Sequence, residues 1–186
     1  NAAGLAHITQ QLLLLSRSGE IDIVQAPCPV APLLVQAQLE AQSRAAAHQL
    51  AISATVEIPD EALTIVGDAQ WINLALRTAT RNAFDALSLD GEGRLTLRAL
   101  ATDAAITIQI ADTGPGFTPA QLAQLDPQRV ASGDILRWTT KMGGSGIGIA
   151  CLVHVMRLHH GQVVFANAPG GGALVSLIFA RPEAAR

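Results

Sequence analysis

Apolar and polar residues alternate through AAITIQIAD, residues 104–112, with the two-residue period of a strand that buries one face. RLTLRAL, 94–100, alternates in the same way just before it, so the two read as an antiparallel hairpin. QLAISATVEI, 49–58, and the short ALTIV, 62–66, read as earlier strands. GQVVFAN, 161–167, and GALVSLIFA, 172–180, joined through a Pro-Gly-Gly-Gly turn, read as two final ones. The period changes in AQWINLALRTATRNAFDALSL, 69–89, where Ile72, Leu76, Ala79, Ala83 and Leu87 recur at intervals of three and four and so share one helix face. Asp68 stands where an N-cap belongs, and DGEG, 90–93, breaks the chain afterwards. A further helix is expected from about Pro32 to His48, since a proline in the first turn forgoes an N–H that has no intrahelical partner there. GIACLVHVMRLHH, 148–160, reads as another, and PAQLAQL, 119–125, as a short one inside a long, weakly patterned connection over 118–142. Ahead of all these, LAHITQQLLLLSRSG, 5–19, reads as the last turns of an amphipathic helix, followed by an extended piece, IDIVQAP, 21–27.

Helices fall between pairs of strands rather than after every strand. The pattern therefore predicts an α+β fold with one mixed, mostly antiparallel sheet and helices on one face, preceded by one helix.

Composition narrows what such a fold could do. With 49% hydrophobic and 15% charged residues among 186, the chain can bury a sizeable core and is not disordered. Aromatics are only 3%, too few for the stacking platforms of single-strand binders, and the net charge of −3 argues against a nucleic-acid surface. Cys28 and Cys151 form no CxxC pair and suggest a reducing compartment, while leaving a disulfide open. No apolar run reaches the roughly 18–20 residues that span a bilayer, so a cytoplasmic chain is expected, although a parent protein could be membrane-anchored. The chain begins with Asn rather than Met and reads as a fragment of something longer.

Three short stretches carry candidate chemistry. ADTGPGF, 111–117, delivers Asp112 to a strand end and follows it with Gly114 and Gly116. TTKMGGSGIGIA, 139–150, sets glycines at 143, 144, 146 and 148 beside Lys141, the only lysine, and opens a helix. Such a loop reads equally as an ordinary turn or as a phosphate cradle built from bare N–H groups and a helix N-terminus. Asn82 lies in mid-helix, where its propensity is poor; a solvent-facing Asn, a tertiary hydrogen bond and an amide ligand for Mg²⁺ are all open readings.

Taken in order, RNAFDAL, DTGPGF and GGSGIGIA resemble the N, G1 and G2 boxes of the GHKL ATP-binding superfamily, and within it the catalytic domain of sensor histidine kinases. WTTK, 138–141, resembles the end of the ATP lid, and HHGQVVFANAPGGGALVSLIFA the closing strands. The resemblance covers about 50–181. It implies a Bergerat-type α/β sandwich at 20–186, with residues 1–19 as the C-terminal end of a dimerisation helix. It also implies Mg²⁺-ATP as cofactor and a γ-phosphate transferred to a histidine on a first dimerisation helix outside this chain. A response-regulator receiver domain and a homodimer through those helices are the partners implied. By the same resemblance Asp112 accepts a hydrogen bond from the exocyclic amine of adenine, Gly114 and Gly116 clear space for the ring, and Asn82 holds Mg²⁺. Asp85, Thr139, Thr140, Gly144, Ser145, Gly146, Ile147 and Gly148 line the nucleotide, and Lys141 neutralises the γ-phosphate.

Two departures stand out. Thr78 occupies the position, four residues before Asn82, where related ATPases carry a water-activating Glu, which favours phosphotransfer over hydrolysis. Leu136 and Trp138 replace the usual lid phenylalanines. None of the five histidines (7, 48, 154, 159 and 160) is followed by an acid, so all are expected to be surface or half-buried imidazoles rather than phosphoacceptors. A degenerate scaffold or phosphorelay partner remains the alternative to a kinase. An anti-sigma-type serine kinase is disfavoured by the helical leader.

Overall fold

In the computed structural model, which describes residues 23–126 and 147–181, the alternating segments become a five-stranded sheet. Its strands are β2 (Ala51–Glu57), β4 (Glu92–Ala101), β5 (Ala105–Asp112), β6 (Gln162–Asn167) and β7 (Ala173–Ala180). Their spatial order is β2-β4-β5-β7-β6, with β2 parallel to β4 and every other neighbour antiparallel. The helices are α1 (Val30–Ala47), α2 (Ala69–Leu87), the short α3 (Pro119–Gln124) and α4 (Ile147–Leu158). α1, α2 and α4 cover one face of the sheet, the mixed α/β sandwich expected from the pattern. Among the described residues no helix is long and apolar enough to cross a membrane.

Strand periodicity decides which side chains meet the helices. In β5, Ile106, Ile108, Ile110 and Asp112 are buried, while the residues between them are partly open. Asp112 is thus in phase with three core isoleucines, and its carboxylate is carried to the helix side of the sheet at the strand's last residue. On α2 all five residues of the predicted face are buried, from Ile72 through Leu87. The Asp68 carboxylate caps the helix, accepting the N–H of Gln70 at 2.9 Å and of Trp71 at 3.4 Å. Thr118 and Gln121 form a capping box at the start of α3.

Three features differ from the sequence pattern. Extended structure in the leader falls at β1 (Ala26–Pro29), later than IDIVQAP, of which residues 21 and 22 lie outside the described residues. β1 pairs antiparallel with β3 (Thr64–Gly67) in a separate two-stranded ribbon, so ALTIV leaves the main sheet. Pro27 and Pro29 have no N–H to donate and are tolerated in such an edge ribbon. Finally, His159 is neither surface nor half-buried: it is 7% exposed. Its Nε2 accepts the Asp68 N–H at 3.0 Å and its Nδ1 lies 2.7 Å from the Val155 carbonyl oxygen, an arrangement that fixes the Nδ1–H tautomer. α4 ends just before it, and His160 turns the chain with a φ of 52°.

Candidate nucleotide site

The described parts of the three motif segments lie along α2, which packs against both α4 and β5. Gly148, in the first turn of α4, lies so close to α2 that an added Cβ would stand 3.3 Å from Asn82 Oδ1 and 3.3 Å from Thr78 Cγ2. Gly114, two residues past β5, abuts the same helix one turn on: a Cβ there would lie 3.5 Å from the Ala86 Cβ. Asn82, Gly148 and Gly114 therefore border one region, although 66 residues separate the outermost two (148 − 82).

Asp112 is 4% exposed, and its two oxygens have different surroundings. Oδ1 accepts the N–H of Gly114 at 2.9 Å and of Ala173 at 3.1 Å. Oδ2 receives no hydrogen bond from any described residue. Burial pushes the carboxyl above the usual aspartate value, against the lowering effect of the Ala173 and Gly114 N–H groups. One oxygen is thus anchored to backbone, and the other is an acceptor without a donor. The loop that follows is braced as well. Thr113 exchanges hydrogen bonds with Arg94, N–H to carbonyl at 3.1 Å and Oγ1 to N–H at 3.0 Å, and Gly116 adopts a φ of 72° that a side chain would resist.

Asn82 is exposed on α2, and its amide makes no hydrogen bond to any described residue. Thr78, one turn earlier, is 1% exposed and donates its hydroxyl proton to the Leu74 carbonyl at 2.7 Å. The hydroxyl also meets the thiol of Cys151 on α4, so Thr78 joins the two helices. Burial pushes that thiol up to about 12. Asp85 faces α1: its carboxylate pairs with Arg44 at 2.9 Å and with Arg81 at 3.7 Å, and Arg44 also stacks 4.8 Å over the Phe84 ring. A nucleotide role for Asp85 would have to compete with both arginines. Thr139, Thr140, Lys141, Gly144, Ser145 and Gly146 lie outside the described residues, as do Leu136, Trp138 and the leader helix at 1–19; Ile147 opens α4.

The mixed, mostly antiparallel sheet with helices on one face is the α/β sandwich of the Bergerat type. The chain belongs to the family described as histidine kinase-, DNA gyrase B-, and HSP90-like ATPase, whose sequence pattern matches residues 67–183. Among curated relatives, the probable sensor histidine kinase TcrY of Mycobacterium tuberculosis is 29% identical over 169 residues, covering 89% of this chain and 34% of the relative. The signal transduction histidine-protein kinase BaeS of Escherichia coli is 27% identical over 165 residues, with the same coverage of 89% and 34%. The chain thus spans about a third of the length of these relatives. Among solved structures, full-length ShkA in complex with AMPPNP superposes with a TM-score of 0.72 at 23% identity, over 96% of this chain and 35% of that one. The catalytic domain of histidine kinase ThkA superposes at 0.67 and 14% identity, over 86% and 96%. The chain is an ATP-binding catalytic domain homologous to those of sensor histidine kinases.

Asn167 was not singled out by the sequence reading. Its amide holds Phe117 at the far end of the Asp112 loop, through contacts across 50 residues that no local pattern announces.

Proposed function

We propose that this domain binds Mg²⁺-ATP and transfers the γ-phosphate to a histidine on a helical hairpin outside the described residues. The observation that carries this reading is the divided role of Asp112. Anchoring Oδ1 on two N–H groups leaves Oδ2 as an acceptor only, which suits the exocyclic amine of adenine and repels the carbonyl that guanine presents there. The donor set fits the metal too. Asn82 offers a hard oxygen, and among the described residues no cluster of three or more His, Cys, Asp or Glu could hold an ion alone. Mg²⁺ suits such a site, because it keeps several waters and takes phosphate oxygens as ligands. Bound there, the ion would neutralise charge on the phosphates. The first turn of α4 at Gly148 offers bare backbone and a helix N-terminus to them. Lys141 would face the γ-phosphate, with Thr139, Thr140, Gly144, Ser145 and Gly146 along the chain of phosphates.

Thr78 acts through what it lacks. Its hydroxyl is tied to Leu74 and Cys151, and a threonine is no general base at neutral pH, so water is not activated and hydrolysis stays slow. General-base assistance is typically worth 10²–10⁴-fold. The structure of ShkA with AMPPNP, and the sensor kinases among the relatives, support this reading. A response-regulator receiver domain would take the phosphoryl group onward, and the parent would dimerise through its helices. A second reading, a scaffold or relay partner without kinase activity, draws on the same buried Thr78.

Radiolabel transfer from γ-labelled ATP separates the two. With a helical-hairpin peptide bearing a His-Glu or His-Asp pair supplied in trans, acid-labile, base-stable label is expected on the peptide. None is expected on the 186-residue chain alone. Robust self-labelling of the chain would refute the missing-acceptor reading, and an unlabelled peptide beside a chain that binds ATP would favour the scaffold.

A further inference from the structure

Asn167, the last residue of β6, makes two hydrogen bonds to a single residue 50 positions away. Its Oδ1 accepts the Phe117 N–H at 2.7 Å, and its Nδ2 donates to the Phe117 carbonyl at 2.9 Å. One amide side chain thus satisfies both backbone groups of Phe117, as a neighbouring strand would. The Phe117 ring packs edge-on against Phe165 of the same strand, with centroids 6.0 Å apart and planes at 87°. The approach is tight at Gly116, where an added Cβ would lie 2.8 Å from Asn167 Oδ1 and 3.1 Å from the Gly172 carbonyl oxygen.

The other end of the loop is held from the same turn. Ala173 donates to Asp112 Oδ1, and Gly172, with φ 86°, sits where any Cβ would collide with the Asp112 carbonyl. The turn between β6 and β7 therefore grips the segment from Asp112 to Phe117 at both ends, by backbone at the first residue and by the Asn167 side chain at the last. We infer that Asn167 is a positioning residue for purine selection: by fixing the span of this loop it keeps Oδ2 of Asp112 aimed at the nucleobase edge. It sets the preference for adenine over guanine through the loop. The inference rests on the nucleotide reading proposed above.

The test compares wild type with Asn167→Ala and Asn167→Asp. The second variant keeps an acceptor for the Phe117 N–H but sets a carboxylate oxygen against the Phe117 carbonyl. In the nucleotide-free protein, amide exchange at Phe117 and, through the loop, at Gly114 should quicken in both variants while melting temperatures stay near wild type. ATP affinity should fall roughly tenfold in Asn167→Ala and the ATP-to-GTP affinity ratio should drop with it. A variant that melts earlier but keeps the wild-type ratio has lost only structural support, and the inference falls. If Asn167→Ala does not fold, Asn167→Asp decides by the same ratio. If the wild type binds no nucleotide, the proposed function fails on its own, and unchanged Gly114 exchange in the variants would overturn the positioning role independently.

Discussion

Replacing Asp112 with Asn should invert the logic of base recognition while leaving the fold in place. Oδ1 already accepts two backbone N–H groups, so the amide oxygen of the variant must take that place. The NH₂ group is then forced into the Oδ2 position, since the flipped amide would set donors against the Gly114 and Ala173 N–H groups. Adenine would meet a donor where it needs an acceptor, and guanine would meet a donor for its carbonyl. A hydrogen bond to a charged group is worth about 1.5–3 kcal/mol, so ATP affinity should fall roughly 10- to 150-fold. GTP affinity should hold or rise. Stability moves the other way. Burial raises the carboxyl pKa in spite of the two N–H bonds, so protonation is easier in the folded state than in the unfolded chain. That contribution is fully present below the unfolded value of 3.8 and is lost as pH rises through the folded pKa. A neutral amide escapes the loss: the variant should melt no lower than wild type at pH 7, and its advantage should shrink toward pH 4. Calorimetric titration with both nucleotides, beside melting curves at two pH values, reads all of this. A variant that keeps wild-type ATP affinity and selectivity refutes the assignment of Oδ2 to the base.

Asn82→Ala should keep the fold, since Ala is the better helix former, yet abolish the part of ATP affinity that depends on Mg²⁺; equal losses with Mg²⁺ and with chelator would show that Asn82 is no ligand. Wild-type ATP affinity should weaken on acidification from above the ordinary aspartate range, as the raised Asp112 carboxyl takes up its proton, and a flat profile down to pH 4 would contradict an ionised acceptor. Cys151, buried and with its thiol pushed up to about 12, should resist alkylation in the native protein at pH 8; rapid native-state labelling would contradict its burial against Thr78. Gly67→Ala would press a methyl against the His159 ring and to 2.9 Å from Ile72 Cδ1, and should cost roughly 1–3 kcal/mol by urea unfolding; an unchanged midpoint would mean that the His159 contact is loose.

What could be read in advance was whatever local periodicity or a contiguous motif encodes. The alternation in AITIQIAD places Asp112 on the buried face of β5, and the three- and four-residue spacing of Ile72 to Leu87 gives the core side of α2. What escaped depends on partners far along the chain. β1 exists because β3 lies beside it, and its two prolines argue locally against a strand. His159 looks like one of a polar pair ending an apolar helix; its burial is supported by a backbone N–H 91 residues earlier. Asn167 is one polar residue at a strand end, and only the folded turn brings it to Phe117. Asp85 belongs to a motif, but its environment is set by Arg44 on a helix 41 residues back.

The central claim is that the site bordered by Asp112, Asn82 and Gly148 selects an adenine nucleotide. Calorimetric titration of the 186-residue chain with ATP and with GTP, each with Mg²⁺ and with chelator, tests it most directly. Saturable ATP binding that exceeds GTP binding and strengthens with Mg²⁺ is the expected result. Equal affinity for ATP and GTP, or no binding of either, would contradict the account.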